Sequence, residues 1–206
     1  MQRNYVELPA RSSNGHFIRP NRSKCAMGNG PMEDANAIHQ GMVESIETLL
    51  KYTDFDKIVA ALDIDESSRA DARRLWTFID QQTDSIFENF YQKWLTIDIT
   101  GVYKFRMDEI TALKEKQRRH WEELLSGRLD FNYIATALRV GMVHRDAQIT
   151  AQFYLIGYSI IKLEIMAIVA LKEPDQVQRV RLFRALEKFV AVDMGLTMLG
   201  YNSGSF

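Results

Sequence analysis

The stretch DEITALKEKQRRHWEELLSGRLDFNYIATALRVGMVHR, residues 108–145, decides the fold class. Asp108 and Glu109 place acidic side chains where a helix begins, and Gly127 supplies the stop that a helix over 108–126 needs. Asp130 then offers a side-chain oxygen to cap a second helix, which runs to about residue 145. No proline interrupts either segment, so the pattern reads helix, stop, helix. Outward from it the pattern continues. Asp65 with Glu66 opens an earlier helix, Thr150 opens one that runs to residue 172, and Pro174 is expected at the first position of a last helix ending near residue 201. From residue 35 onward Pro174 is the one proline, while Leu, Ala, Glu, Lys, Arg and Gln dominate, which is the composition of helices. The body reads as all-α.

The 206 residues are 46% apolar and carry 26 basic against 27 acidic side chains, for a net charge of -1. That apolar fraction excludes wholesale disorder, and the balanced charge removes the electrostatic case for a nucleic-acid binder. A lone cysteine, Cys25, excludes an internal disulfide framework and fits a reducing, cytoplasmic compartment. The longest apolar run, 155–171, is interrupted by Lys162 and Glu164, so no membrane span is expected, and no secretory signal is read at the N-terminus. Residues 1–34 hold three of the four prolines and a basic excess, and read as a flexible basic tail ahead of one domain over 35–206.

Two segments are apolar around much of their circumference. On 150–171 one stripe holds Phe153, Ile156, Ile160, Leu163 and Ala167, and a second holds Tyr154, Tyr158, Ile161, Ile165, Ile168 and Val169. The last helix pairs Phe183, Leu186, Val190, Met194, Met198 and Tyr201 with Leu182, Phe189, Val192, Leu196 and Leu199. A helix apolar on two sides must be covered twice, so a homodimer through the last two helices is expected.

The four histidines are His16, His39, His120 and His144, and no two stand at the three-to-five spacing of a multi-histidine metal site. There is no Gly-rich phosphate loop and no G-x-S-x-G turn. His144 differs from the others because Tyr133, Ala137, Val140, Gly141 and His144 recur at helical spacing, which puts the imidazole on an apolar stripe. Such a histidine is either a core residue satisfied by one hydrogen bond or the axial ligand of a haem, whose porphyrin supplies the other four nitrogens. Tyr91, in the run Phe87, Phe90, Tyr91, Trp94, Leu95, poses a similar choice. Its hydroxyl bonds a neighbouring carbonyl or serves as a donor to a gas molecule. His120 is expected on the solvated face with Lys114, Lys116, Arg118 and Arg119, and His16 and His39 in or beside the tail.

The runs Phe87-x-x-Phe90-Tyr91, Leu113-x-x-x-Gln117-x-x-His120-Trp121-x-x-Leu124-Leu125-x-Gly127-x-x-Asp130-x-x-Tyr133, Val140-Gly141-x-x-His144 and Phe153-Tyr154-x-x-x-Tyr158 resemble the bacterial sensor globins. These are the protoglobins and the globin domains of globin-coupled sensors. The resemblance spans about residues 62–201, and Tyr91 and His144 stand 53 positions apart, as expected of the second and sixth globin helices. It implies a globin-like helical sandwich that binds haem b, with His144 as the iron ligand and Tyr91 as the distal donor to oxygen. Leu113 would wall the distal side, Tyr154 would stand behind His144 within reach of its other ring nitrogen, and Phe90 and Val140 would line the pocket. Lys116, Gln148, Ile149, Ala151 and Phe153 depart from the family's usual residues, mainly in the turn after His144.

The resemblance therefore implies a non-enzymatic sensor of a diatomic gas, O2 with CO or NO as further ligands, passing its state to a signalling domain or protein. Two other readings are a haem-free globin-like interaction module and a small haem enzyme.

Overall fold

The computed structural model describes residues 54–96 and 107–203; the basic segment 1–34, with His16 and Cys25, and also His39, lies outside them. In chain order the helices are α1 (Phe55–Ala61), α2 (Glu66–Ile79), α3 (Thr83–Thr96), α4 (Met107–Leu125), α5 (Phe131–Asp146), α6 (Ala151–Lys172) and α7 (Gln176–Asn202). A single 3-10 turn, Asp80–Gln82, joins α2 to α3. Among the described residues there is no strand.

The helix starts follow from side-chain caps, each satisfying one of the orphan amides that open a helix. Asp65 accepts from Ser68 N at 2.7 Å, Asp130 from Tyr133 N at 3.0 Å, and Thr150 from Phe153 N at 3.5 Å. At α7 the expected start is shifted. Asp175 is the cap, accepting from Gln178 N at 2.9 Å, so Pro174 precedes the helix instead of opening it. The reason is local, since an aspartate oxygen satisfies an amide that a proline ring can only omit. Gly127 ends the α4 region as expected, at φ 77, a left-handed conformation that L side chains adopt only at a cost. An added Cβ there would also sit 3.1 Å from Cβ of Arg69, whose guanidinium donates to the Gly127 carbonyl.

α7 is the spine. It packs on α5 most extensively, and also on α2, α4 and α6, while α3 lies on α6 and α4. Leu182, Leu186 and Phe189 on α7 are fully enclosed, each stabilising the fold by roughly 2–3 kcal/mol through apolar burial. The α5 and α7 backbones touch. A Cβ added at Gly141 would lie 2.0 Å from the Thr197 carbonyl oxygen, and one added at Gly200 would lie 2.0 Å from that of Leu138. Only glycine permits that approach.

The two apolar helices behave differently from each other. On α6 the stripe Tyr154, Tyr158, Ile161, Ile165 and Val169 is buried, while Ile156 at 37% and Leu163 at 62% remain exposed on the other side. On α7 both expected stripes are largely consumed inside the chain, because Leu182, Leu186, Phe189, Val190, Val192 and Leu196 are all buried. Its exposed large apolar residues are Val177 and Val180, in the first turns. Leu95, placed with the inward run of α3, faces solvent instead.

Among the described residues, α6 alone is long and apolar enough to cross a membrane. It is a core helix of the globin-like body. The two charges in its middle form ion pairs across to neighbouring helices, Lys162 with Glu187 at 2.9 Å and Glu164 with Lys93 at 2.5 Å.

Candidate functional site

His144 ends the apolar stripe of α5, in the last turn before Ala147. Its Nδ1 lies 2.8 Å from the carbonyl oxygen of Val140. A carbonyl only accepts, so Nδ1 carries the hydrogen and the lone pair of the neutral ring resides on Nε2. Burial lowers the pKa of the imidazole below its ordinary value, with the Val140 carbonyl opposing and the His120 charge adding to the shift. The ring is therefore held neutral, with one nitrogen anchored and the other a Lewis base. That is the arrangement an iron ligand requires, because the hydrogen bond on the second nitrogen fixes the tautomer.

Tyr154 stands edge-on to His144, ring centroids 5.0 Å apart and planes at 74°. Its hydroxyl does not reach the imidazole. It donates to Oγ1 of Thr197 at 3.0 Å, and the hydrogen bond to the ring nitrogen falls to Val140. A helical i−4 carbonyl is already in place beside a histidine, whereas a tyrosine on a neighbouring helix must compete for it.

Tyr91 and Phe90 share the buried face of α3 with Ile86 and Phe87. Phe90 meets Tyr91 edge-on at 4.9 Å and stacks on Trp94 at 5.5 Å. Burial pushes the Tyr91 phenol well above the usual tyrosine range, so it stays protonated and can donate. Phe90 and Trp94 close over Gly157 of α6, where an added Cβ would lie 3.3 Å from Phe90 Cε2. Thus α6 is the common wall: Tyr154 receives His144, and one turn later Gly157 receives the neighbour of Tyr91. Leu113 on α4 is half-buried against the same core, as is Val140. His144, Val140 and Tyr154 are brought into direct contact, and Tyr91 and Phe90 form a second contacting pair.

The arrangement suits a haem in its donor chemistry. Among the described residues no group of three His, Cys, Asp or Glu could hold a bare metal ion, while one neutral imidazole in aromatic and aliphatic surroundings is what a porphyrin-held iron needs.

One cluster was not foreseen. His120 does not share the solvated face of its helix but turns inward, its Nε2 3.0 Å from Tyr158 Oη and 3.2 Å from Asp193 Oδ2. Asp193 is fully enclosed and also accepts from the hydroxyls of Tyr133 and Tyr158. Burial alone would lower the His120 pKa, but the adjacent carboxylate outweighs it and the net shift is upward. Burial likewise opposes ionisation of Asp193, and His120 with the two phenols holds its pKa down. Each partner thus favours the charged form of the other, against the burial that opposes both. The rest of the basic run on α4 does stay outward and is neutralised locally, Lys114 by Glu88 and Arg118 by Asp80 at 2.7 Å. A cleft of about 460 Å³ nearby, with Arg73, Trp76, Arg119 and Arg128 among its walls, contains none of the candidate residues.

The signals for the cluster lay in two places. Ile110, Leu113, Gln117, His120, Trp121 and Leu124 share one helical face, and Asp193 is the sole acid between Val190 and Thr197.

Comparison with known proteins places the fold. The globin domain of a globin-coupled sensor from Geobacter sulfurreducens superposes with a TM-score of 0.59 at 16% identity, covering 71% of this chain and 96% of that one. Among curated proteins no match is found. The protoglobin family model matches residues 51–204, far more than half of the sequence, and the chain therefore belongs to the protoglobin family.

Proposed function

We propose that the protein is a haem-b gas-sensing domain in which His144 would hold the haem iron and Tyr91 would donate a hydrogen bond to the captured gas. The observation that carries this reading is the anchored imidazole: Nδ1 on the Val140 carbonyl, Nε2 left as a neutral base. The haem, when bound, supplies the capture of a diatomic gas, foremost O2, with CO and NO as further ligands. The chain's own residues do the rest. Val140 fixes the tautomer, Tyr154 packs against the imidazole edge, and Phe90 and Leu113 exclude water from the gas side. Tyr91, kept protonated by burial, offers its hydroxyl hydrogen to the incoming molecule.

Signalling requires a partner, and the outward stripe of α6 with Val177 and Val180 of α7 is the surface for it. A homodimer formed there would pass changes at His144 to a downstream signalling domain or protein. The cytoplasm suits such a sensor. The haem-free interaction module and the small haem enzyme remain the competing readings. The neutral, anchored His144 disfavours the first, and the family's role as a sensor globin disfavours the second.

Titration of the purified chain with haem tests the reading. Wild type should take up one equivalent with a sharp Soret band. Tyr91→Phe should retain it yet release oxygen up to about 10-fold faster, the worth of one hydrogen bond. A wild-type protein that takes up no haem ends the sensor reading in favour of the haem-free module, and an unchanged release rate in Tyr91→Phe removes Tyr91 from the gas side.

A further inference from the structure

We infer that Thr197 of α7, backed by Asp193 one turn earlier, is a positioning residue that sets the orientation of the His144 imidazole through Tyr154. The inference rests on the haem reading above and adds to it the point at which the long C-terminal helix meets the ligand.

Thr197 is a fully buried polar residue, and both capacities of its hydroxyl are used. It accepts from Tyr154 Oη at 3.0 Å and lies 3.3 Å from the Ala137 carbonyl of α5, to which it donates. Its own carbonyl is the atom against which Gly141 packs, one turn before His144. Thr197 thus touches α5 twice and Tyr154 once. One turn earlier on the same face of α7, Asp193 takes the hydroxyl of Tyr158, whose ring lies 5.1 Å from that of Tyr154. Two tyrosines one turn apart on α6 therefore point their hydroxyls at two residues one turn apart on α7.

The mechanical consequence follows from torsional freedom. A tyrosine ring has two soft torsions: the hydrogen bond at its hydroxyl, which lies on the axis of the second, fixes the first and so where the ring stands, and the rings of Tyr158 and Tyr201 packed against it hold its plane. The Tyr154 ring, so fixed, presents its edge to the His144 ring. The imidazole is itself tethered at Nδ1, so its remaining freedom is rotation about that anchor. Tyr154 blocks that rotation and thereby fixes the direction in which the Nε2 lone pair points. A shift of α7 along its axis would move Thr197, swing Tyr154 and re-aim Nε2. The same contacts carry a displacement of His144 back to α7.

The test uses the full chain, first without haem. Thr197→Val keeps the shape and removes the hydroxyl, while Thr197→Ser restores it. In the folded, haem-free protein, the imidazole carbon-bound proton resonances of His144 should move beyond their linewidth in the valine variant and return to the wild-type positions in the serine variant. In a Tyr154→Phe background, Thr197→Val should have no further effect on them, because the hydroxyl through which it acts is gone. His144 resonances that coincide in wild type and Thr197→Val, or full additivity of the two substitutions, overturn the inference. Should valine unfold the chain, Tyr154→Phe alone carries the comparison: moved resonances support the role and coincident ones overturn it. With haem added, Thr197→Val should release the cofactor roughly 10-fold faster than wild type and Thr197→Ser at the wild-type rate, the scale of a lost supporting contact. A wild-type protein that refuses haem defeats the sensor reading, while the haem-free arm still decides the positioning role.

Discussion

Two histidines lie within the same helical body and are treated in opposite ways. At the end of α5, His144 sits against the Tyr154 ring with one nitrogen on a backbone carbonyl, and burial lowers its pKa. In the middle of the α4 and α7 packing, His120 sits on a fully enclosed carboxylate that raises its pKa in spite of burial. The first has an unspent lone pair and little structural duty. The second is committed to Asp193, and Asp193 is committed to Tyr133 and Tyr158 as well. Burial does not by itself tell a ligand from a structural residue; the neighbour of each ring nitrogen does.

The sharpest way to break that contrast is to remove the carboxylate. Asp193→Ala strips the carboxylate from the buried His120 ring and from the Tyr133 and Tyr158 hydroxyls, and should cost about 3–5 kcal/mol, read as a drop in the urea midpoint. His144→Ala removes one hydrogen bond and should cost about 1 kcal/mol. Equal losses for the two would mean that the regions do not differ as described.

Next in size is Gly141→Ala. The new methyl would enter the Thr197 carbonyl at 2.0 Å and force α5 from α7, at roughly 1–3 kcal/mol or more. Haem affinity should fall along with thermal stability, because His144 and Thr197 flank that contact. An alanine variant with wild-type unfolding would show that the two helices do not touch there.

The pH dependence separates the histidines by sign. His120 has a raised pKa when folded, so its stabilising effect is complete below about 6.5, the unfolded value, and is lost as pH rises through the folded value. Asp193 has a lowered one, so its effect is present above about 3.9 and is lost as pH falls through its folded value. His144, lowered, acts like Asp193 in direction: its unfavourable effect grows as pH falls below about 6.5 and is absent above it. Urea midpoints measured across this range should show the alkaline decline disappear in His120→Gln and persist in His144→Ala. A decline that persists in His120→Gln has another source.

Much of this body could be read from the sequence. Asp65, Asp130 and Thr150 cap the helices that they were expected to cap, because a short polar side chain before an apolar period has few other roles. His144 was legible for the same reason, as the one polar residue on a stripe of Tyr133, Ala137, Val140 and Gly141. The break between α2 and α3 was not, since Asp80–Gln82 contains neither proline nor glycine and only tertiary packing bends the chain there. His120 was hidden by Lys116, Arg118 and Arg119, which dominate the local composition but point away from it. The partner of Tyr154 could not be read at all, because Thr197 is 43 positions distant and only the crossing of α6 and α7 brings them together.

The smallest expected effect concerns the turn after His144. Gln148 holds φ 60 there, in the left-handed region that favours glycine. Gln148→Gly relieves about 1–2 kcal/mol of strain and gives back roughly 0.5–1 kcal/mol as chain entropy, so a net gain of at most about 1.5 kcal/mol is expected in thermal unfolding. A loss of stability would show that the turn carries no strain.

The account turns on which imidazole meets the iron. Resonance Raman spectra of the ferrous, haem-loaded protein should show an iron–histidine stretching band in wild type and in His120→Gln, and no such band in His144→Ala. A band that survives in His144→Ala contradicts the assignment.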